Sequence, residues 1–438
     1  MKSDQKGNLF LDLRLPKQKR IKRLIILLFP ILIIILTNLS LAGEIKFPTP
    51  CYEGEELAKI REWEKSFVGK KITSSNVDQV KDFLIEPVYM IMKNPKEFGA
   101  PDIWFEVVPY RLYNVSKGVI ENTHKYAPGA KLDKERWLTN YGKMSGYPFP
   151  NTENGDEMAW NFDANTKGDS HKETAYPMPV IDCKTKLERT AGHVRWEIYW
   201  TGRCDLPPTP AVEKNPKDIR RSFFMRMTDP ADFRDTTMLE IIYNSKGRDE
   251  DLWVYTAMFR RIRRVSVKQR TDMIDGTDLV YDDQDGWYTH MSHNTYKYVG
   301  RKEILTPRHQ DINKPNRIQG QVFPSGLQRE RINTYVIEVK NEDPYYIYSQ
   351  QFWYLDPENW QMESKVMYNK EGRLWKLFEM YYDEVPGYGD TKSSSILHDV
   401  IVDLFRKHGG TSKRFNEFTG KPIPEEIFRL QNMQKFAY

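Results

Sequence analysis

The stretch Thr334-Tyr335-Val336-Ile337-Glu338-Val339-Lys340 sends Tyr335, Ile337 and Val339 to one side and Thr334, Glu338 and Lys340 to the other. A period of two with one apolar face is the mark of a strand buried on one side only. Three further apolar runs follow, Tyr345 to Leu355, Gln361 to Tyr368 and Leu374 to Tyr382. They are separated by Asp356-Pro357-Glu358-Asn359 and by Asn369-Lys370-Glu371-Gly372, both turn sequences. Links this short join only antiparallel neighbours, so the region predicts a meander. Upstream, Ser222 to Met227, Met238 to Tyr243, Leu252 to Tyr255 and Ile262 to Val267 continue the pattern. Downstream, Ile396, Leu397, Val400, Ile401, Leu404 and Phe405 form a stripe at helical spacing after Ser395, with Gly409-Gly410 as its stop. A closing helix is expected there, and a short one from Pro424.

The N-terminal part reads differently. Leu57, Ile60, Trp63 and Phe67 fall at helical spacing before Gly69, and Ser75-Asn76 caps a second apolar-periodic run that ends before Pro87. From about 94 to 190, Pro, Gly and Asn become denser, as in Tyr147-Pro148-Phe149-Pro150 and Met178-Pro179, and predict extended segments that wrap a core. The expected organisation is a leader over 1–42, a helical and irregular extension over 43–190, and the sheet with its closing helices over 191–438.

The formal charge of +5 is misleading. Residues 1–42 hold eight basic and two acidic side chains, leaving 58 basic and 59 acidic in the rest. Without a basic excess in the body of the chain, nucleic-acid binding has no electrostatic footprint. The leader has the layout of an export signal: Lys17 to Arg23 as a positive region, Leu24 to Leu36 as an apolar run, and Ser40-Leu41-Ala42 as a small-residue cleavage box. Thirteen apolar residues interrupted by Pro30 fall short of the ~20 that span a bilayer. Cleavage after Ala42 and a periplasmic location are the expectation. In an oxidising compartment Cys183 and Cys204, which flank the strand-like Trp196 to Trp200, are the candidate disulfide; pairing with Cys51 and three buried free thiols stay open.

Catalytic signatures fail one after another. A calcium loop ending at Asp283-Gln284-Asp285-Gly286 needs Asp at 281 and Glu at 292, where Tyr281 and Ser292 stand. The acidic run Asp272, Asp275, Asp278, Asp282, Asp283, Asp285 then reads as a solvated turn. His290 and His293 have ligand-like spacing without a third ligand or an HExxH context. There is no P-loop, no G-x-S-x-G elbow and no dinucleotide fingerprint. No catalytic residue, metal or cofactor is assigned, and the chain is read as a non-enzyme.

Leu252-Trp253-Val254-Tyr255 followed by Arg260-Arg261-Ile262-Arg263-Arg264-Val265 resembles the W-V-Y…R-R-V-R-R strand pair of a periplasmic family, domain of unknown function 1329. Three more segments are similar in order: Gly146 to Asn161 with its Tyr147-Pro148-Phe149-Pro150 and Trp160-Asn161, Asp275 to Asp283, and Tyr354-Leu355-Asp356-Pro357-Glu358-Asn359-Trp360. The resemblance implies an α+β, mainly β fold: a curved antiparallel half-barrel like the lipoprotein carriers LolA and LolB, covered by helices, with a mixed N-terminal extension. It implies a periplasmic carrier or chaperone for a hydrophobic cargo, lipid or lipoprotein acyl chains, moving to or from the outer membrane. An inner-membrane transporter and an outer-membrane protein would be its partners.

Met225, Met227, Met238, Trp253, Tyr255, Tyr335, Ile337, Phe378 and Met380 are the candidate cargo contacts, because flexible, polarizable Met and aromatic side chains suit an adaptable apolar pocket. Arg261 and Arg263 are candidate head-group contacts, since alternation sends one arginine pair toward the buried side. The rival reading is an adaptor or envelope-stress sensor that transports nothing. A sheet interior filled solidly with aromatic side chains would favour it.

Overall fold

The computed structural model describes residues 45–184, 186–274, 276–310, 321–417 and 420–437. The leader and its cleavage box lie outside the described residues. Lys46–Tyr438 forms one compact unit.

Fifteen strands make one sheet among the described residues. They are β1 (Lys71–Ile72), β2 (Phe105–Val107), β3 (Ser170–Asp182), β4 (Lys186–Tyr199), β5 (Ile219–Asp229), β6 (Thr237–Tyr243), β7 (Asp251–Thr256), β8 (Arg261–Arg264), β9 (Asn294–Thr306), β10 (Leu327–Asn341), β11 (Gln350–Leu355), β12 (Met362–Tyr368), β13 (Leu374–Pro386), β14 (Lys392–Asp403) and β15 (His408–Asn416). The order is β1-β2-β10-β11-β12-β13-β14-β15-β3-β4-β5-β6-β7-β8, with β9 also on β10. Two meanders, β10 to β15 and β3 to β8, are thus stitched together where β15 pairs antiparallel with β3. Among the described strands, only β2 with β10 is parallel. The two turns around Pro357 and Gly372 connect β11 to β12 and β12 to β13 as their residues predict.

The structure corrects several expectations. The apolar stripe from Ile396 is β14, not a helix, and it is hydrogen-bonded to β13 and β15 along its length. Both of its faces are buried, so its apolar residues run nearly continuously and mimic helical spacing. Gly409 and Gly410 lie inside β15; a Cβ on Gly409 would strike the carbonyl of Ile401. The segment after Pro424 is no α-helix but a series of short 3-10 turns, Glu425–Phe428, Leu430–Asn432 and Lys435–Ala437. Residue 190 falls inside β4, and β3 before it is also part of the sheet.

One face of the sheet is covered by the N-terminal helices Gly54–Phe67 and Glu86–Lys93, which bury Ile60, Val88 and Ile91 against Leu377, Val400 and Val402. At the β4–β7 end the same face is covered by the chain's C-terminal residues, Ile427, Phe428 and Met433. The other face receives the segment 265–293 between β8 and β9. That segment reaches Glu240 of β6 through Arg270, Lys365 of β12 through Asp283, and Trp353 of β11 through Trp287. β6 and β11 are the ends of a nine-strand span, so the sheet curls around this segment.

Candidate functional site

The inner face is built by inverted alternation. In β4, Trp196 and Ile198 point to the apolar outer layer, while Arg195 and Glu197 point inward and are buried. β5 does the same with Phe224 outward and Arg221, Phe223 and Met225 inward. An inward charge is costly unless paired, and Arg195 is paired twice over. Arg195 bridges Glu173 at 3.0 Å and Asp285 at 3.0 Å. Arg414 reaches Asp285 at 2.7 Å and also pairs with Asp399. Lys167 donates to Asp285 at 2.6 Å.

Asp272 of the acidic run is exposed and Asp275 lies outside the described residues, but the rest of the run is not a solvated turn. Asp278, Asp282, Asp283 and Asp285 are buried and carry the anionic half of this network. Asp283 takes Lys365 at 2.5 Å and the Tyr348 hydroxyl at 2.6 Å; Asp282 takes Arg270 at 2.6 Å; Asp278 accepts from His408 at 2.5 Å. Burial alone would raise Asp285, but the charges of Arg195, Lys167 and Arg414 outweigh it and hold the carboxyl well below the usual range.

Above Arg195 and Arg414 lies an apolar cavity of about 70 Å³. Its sheet side is Met178 of β3, Met225 and Met227 of β5 and Phe378 of β13; its cover is Ile274 and Leu279. Space of that size holds a few water molecules, against the several hundred Å³ of a pocket enclosing a lipid-sized ligand. An acyl chain enters only if the cover moves. A larger hollow of about 590 Å³, between Lys59 and Arg331, is an open surface groove lined by charges of both signs.

Three of the nine expected cargo contacts, Met225, Met227 and Phe378, meet at this cavity. Met238 lies on the inner face nearby, packed with Phe223, Leu252 and Tyr288. Trp253 and Tyr255 face the opposite side, against the C-terminal residues. Tyr335 stacks on Trp360 with ring centroids 5.2 Å apart, and Ile337 and Met380 are fully buried. Arg261 and Arg263 do not approach the buried side. β8 is the last strand of the sheet and all four of its residues are exposed, so alternation there has no inside to select. The expected disulfide is absent: Cys51, Cys183 and Cys204 are buried free thiols. Cys183 packs on Gly99, whereas Cys204 lies 3.3 Å from the Ser145 hydroxyl. Burial pushes the Cys183 thiol up to about 11 and Cys51 well above its ordinary value, which keeps both poor nucleophiles.

The network contains two histidines set against glutamates. His171 is 3.6 Å from Glu197 and His193 is 3.6 Å from Glu173. Burial outweighs the carboxylates, lowering His171 to about 4 and His193 below its ordinary value. A buried base with a depressed pKa binds fewer protons folded than unfolded, so stability falls as pH falls from about 6.5 toward 4. For His171 the loss at pH 5 is roughly 2 kcal/mol. Thermal melts at pH 7.5 and pH 5 should show a smaller difference for His171→Gln than for the wild type. An unchanged difference would assign the slope to other groups.

The family model described as protein of unknown function (DUF1329) matches residues 71–434. An uncharacterized protein of Pseudomonas aeruginosa is 25% identical over 349 residues, covering 75% of this chain and 73% of its own length. Among solved structures, a DUF1329 family protein from Desulfovibrio piger overlays at TM-score 0.46 and 15% identity, covering 63% of this chain and 96% of that one. A putative outer membrane lipoprotein-sorting protein domain from Vibrio parahaemolyticus overlays at 0.44 and 15% identity, covering 64% and 98%. A LolA superfamily protein from Nitrosomonas europaea gives 0.39 and 13% identity, covering 64% and 98%. With the model matching most of its length, this chain belongs to the DUF1329 family.

Proposed function

We propose that the protein is a periplasmic carrier that binds the apolar part of a lipid-like cargo between the inner face of its sheet and the 265–293 segment. The observation that carries this reading is the cavity walled by Met178, Met225, Met227 and Phe378, an adaptable apolar surface directly under a cover. Moving the cover exposes these side chains to cargo, and each Å² removed from water contributes about 25 cal/mol. The leader supports export, and among the described residues no helix is long and apolar enough to cross a membrane. Buried thiols suit an oxidising compartment because they are shielded from exchange.

The test is protein recovered from the periplasm, extracted and analysed for lipid by mass spectrometry, together with titration of an environment-sensitive apolar fluorophore. Met225→Trp places a rigid indole where the cavity is. It should abolish lipid and fluorophore uptake while shifting the melting temperature by only a few degrees, as expected for modest overpacking. Wild-type protein that carries no lipid and takes up no fluorophore would sink the carrier reading.

The second reading is an interaction module that transports nothing. What favours it is the rest of the inner face, where Trp287, Trp353 and Phe162 pack together and Arg221 lies 4.0 Å from the centre of the Tyr288 ring. This filling is solid apart from small hollows.

A further inference from the structure

At one end of the sheet the β7–β8 hairpin turns through Ala257-Met258-Phe259-Arg260. Met258 is 71% and Phe259 69% exposed, side by side at the tip, and Ile262 behind them is 40% exposed. Arg260, Arg261, Arg263 and Arg264 surround these residues and are all exposed. Arg264 pairs with Asp251, the one carboxylate on the hairpin strands. The neighbouring turn between β5 and β6 carries Asp229, Asp232 and Asp235 against Arg234, so the cationic surface is the outer edge that β8 presents.

Arginines on a terminal strand have an ordinary purpose, since charge on an open edge discourages pairing with another sheet. That purpose does not account for Met258 and Phe259. Single exposed apolar side chains are common, but an adjacent pair held out on a hairpin tip loses its water contact only against a partner. Apolar side chains at the extremity with guanidinium groups just behind them match the layering of a bilayer surface, acyl chains first and phosphates next. We infer that the β7–β8 tip docks the protein onto an anionic phospholipid membrane, with Met258 and Phe259 entering the interface and Arg260, Arg261 and Arg263 contacting phosphates. This stands on the hairpin alone and does not depend on the cargo reading.

The test uses Lys46–Tyr438, the compact unit, so that the basic leader contributes nothing. Co-flotation is measured with vesicles of phosphatidylcholine alone and of phosphatidylcholine with phosphatidylglycerol, at low and high salt. Wild-type protein should float with the anionic vesicles, and high salt should weaken the association. The triple variant R260Q/R261Q/R263Q, which spares the Arg264 pair, should bind roughly 100-fold more weakly, at about fivefold per arginine. M258S/F259S should lose most of the binding that survives high salt. The indole introduced by Phe259→Trp should shift its emission to the blue on anionic vesicles. All of these positions are exposed, and unchanged melting temperatures would confirm intact folding. Wild-type protein that ignores anionic vesicles, or binds neutral ones equally, overturns the proposal. So does an unshifted indole in a protein whose arginine variant loses binding, because the arginines would then serve an acidic protein or another polyanion.

Discussion

Arg308→Met should cost roughly 3–5 kcal/mol of folding free energy, the range for removing one partner from a buried ion cluster. Arg308 is fully buried, lying 3.1 Å from Asp356, 2.6 Å from Glu358 and 3.2 Å from Glu330. Glu358 also accepts from the Tyr110 hydroxyl at 2.5 Å and from the backbone N–H groups of Tyr113 and Cys51. This one guanidinium therefore joins the 51–113 extension to the β11–β12 turn and gives the Asp356-Pro357-Glu358 motif a physical role. Burial, followed by repulsion from Glu358, raises Asp356 to about 6 even with Arg308 beside it. Without the guanidinium, both carboxylates would be driven toward protonation. The stability gap between variant and wild type in denaturant titrations should thus be larger at pH 7.5 than at pH 5, where protons replace part of the lost charge. Limited proteolysis should cut first within 46–113, and Arg308→Lys should recover part of the loss. A gap below about 1 kcal/mol at pH 7.5 would mean that the cluster does not hold the extension.

What the sequence discloses and what it hides divide along the range of the interactions. The meander from β10 to β13 is legible because alternation and turn chemistry are local: Tyr335, Ile337 and Val339 face one way, and the Pro357 and Gly372 turns allow only hairpins. β14 is illegible for the opposite reason, since a strand buried on both faces loses its period. β9 is hidden by its own polarity: Lys297, Arg301, Lys302 and Glu303 interrupt any apolar face, and pairing with β10 holds it in place. The inward network is the largest omission. Asp285 looks like one acid in a run, and its partners Arg195, Arg414 and Lys167 come from three distant segments that only the folded chain brings together. A local trace exists in Arg195-Trp196-Glu197-Ile198, where charged and apolar residues alternate on a stretch with no exposed side chain. Met225 and Met227 are legible as inward residues; Ile274 and Leu279, which close the cavity over them, are not, because irregular backbone has no period to read.

Asp285→Asn should loosen the cover, and its outcome separates the two functional readings. Asp285 is the anchor over which Lys167, Arg195 and Arg414 converge, and the amide cannot neutralise them. Arg195 keeps Glu173 and Arg414 keeps Asp399, so the expected cost is about 2–4 kcal/mol, below that of an orphaned ion. Because the anchor ties 265–293 to β4 and β15, the cost should appear first as local opening. Amide exchange over 276–286 should quicken by roughly 100-fold while the β13–β15 core keeps its protection. In a carrier the loosened cover exposes Met225, Met227 and Phe378, so fluorophore uptake should rise and bound lipid should exchange faster. In a module with no cargo, the same opening should lower stability with no gain in uptake. The pH dependence is fixed by sign. Asp285 has a depressed pKa, so its contribution is complete above the ordinary carboxylate range and disappears only as pH falls through the lowered value; acidification from pH 8 to pH 5 should leave this anchor intact. His408 runs the other way. Its hydrogen bond to Asp278 raises its pKa, so that clasp is fully present below about 6.5 and is lost as pH rises through the raised value. Exchange over the cover, corrected for its intrinsic pH dependence, should therefore accelerate on the alkaline side in the wild type, and Asp285→Asn should shift the whole profile upward without changing its direction. A profile that turns upward on acidification instead would place the controlling group among His171 and His193 beneath the cover, and the Asp285 anchor would no longer be what holds the segment down.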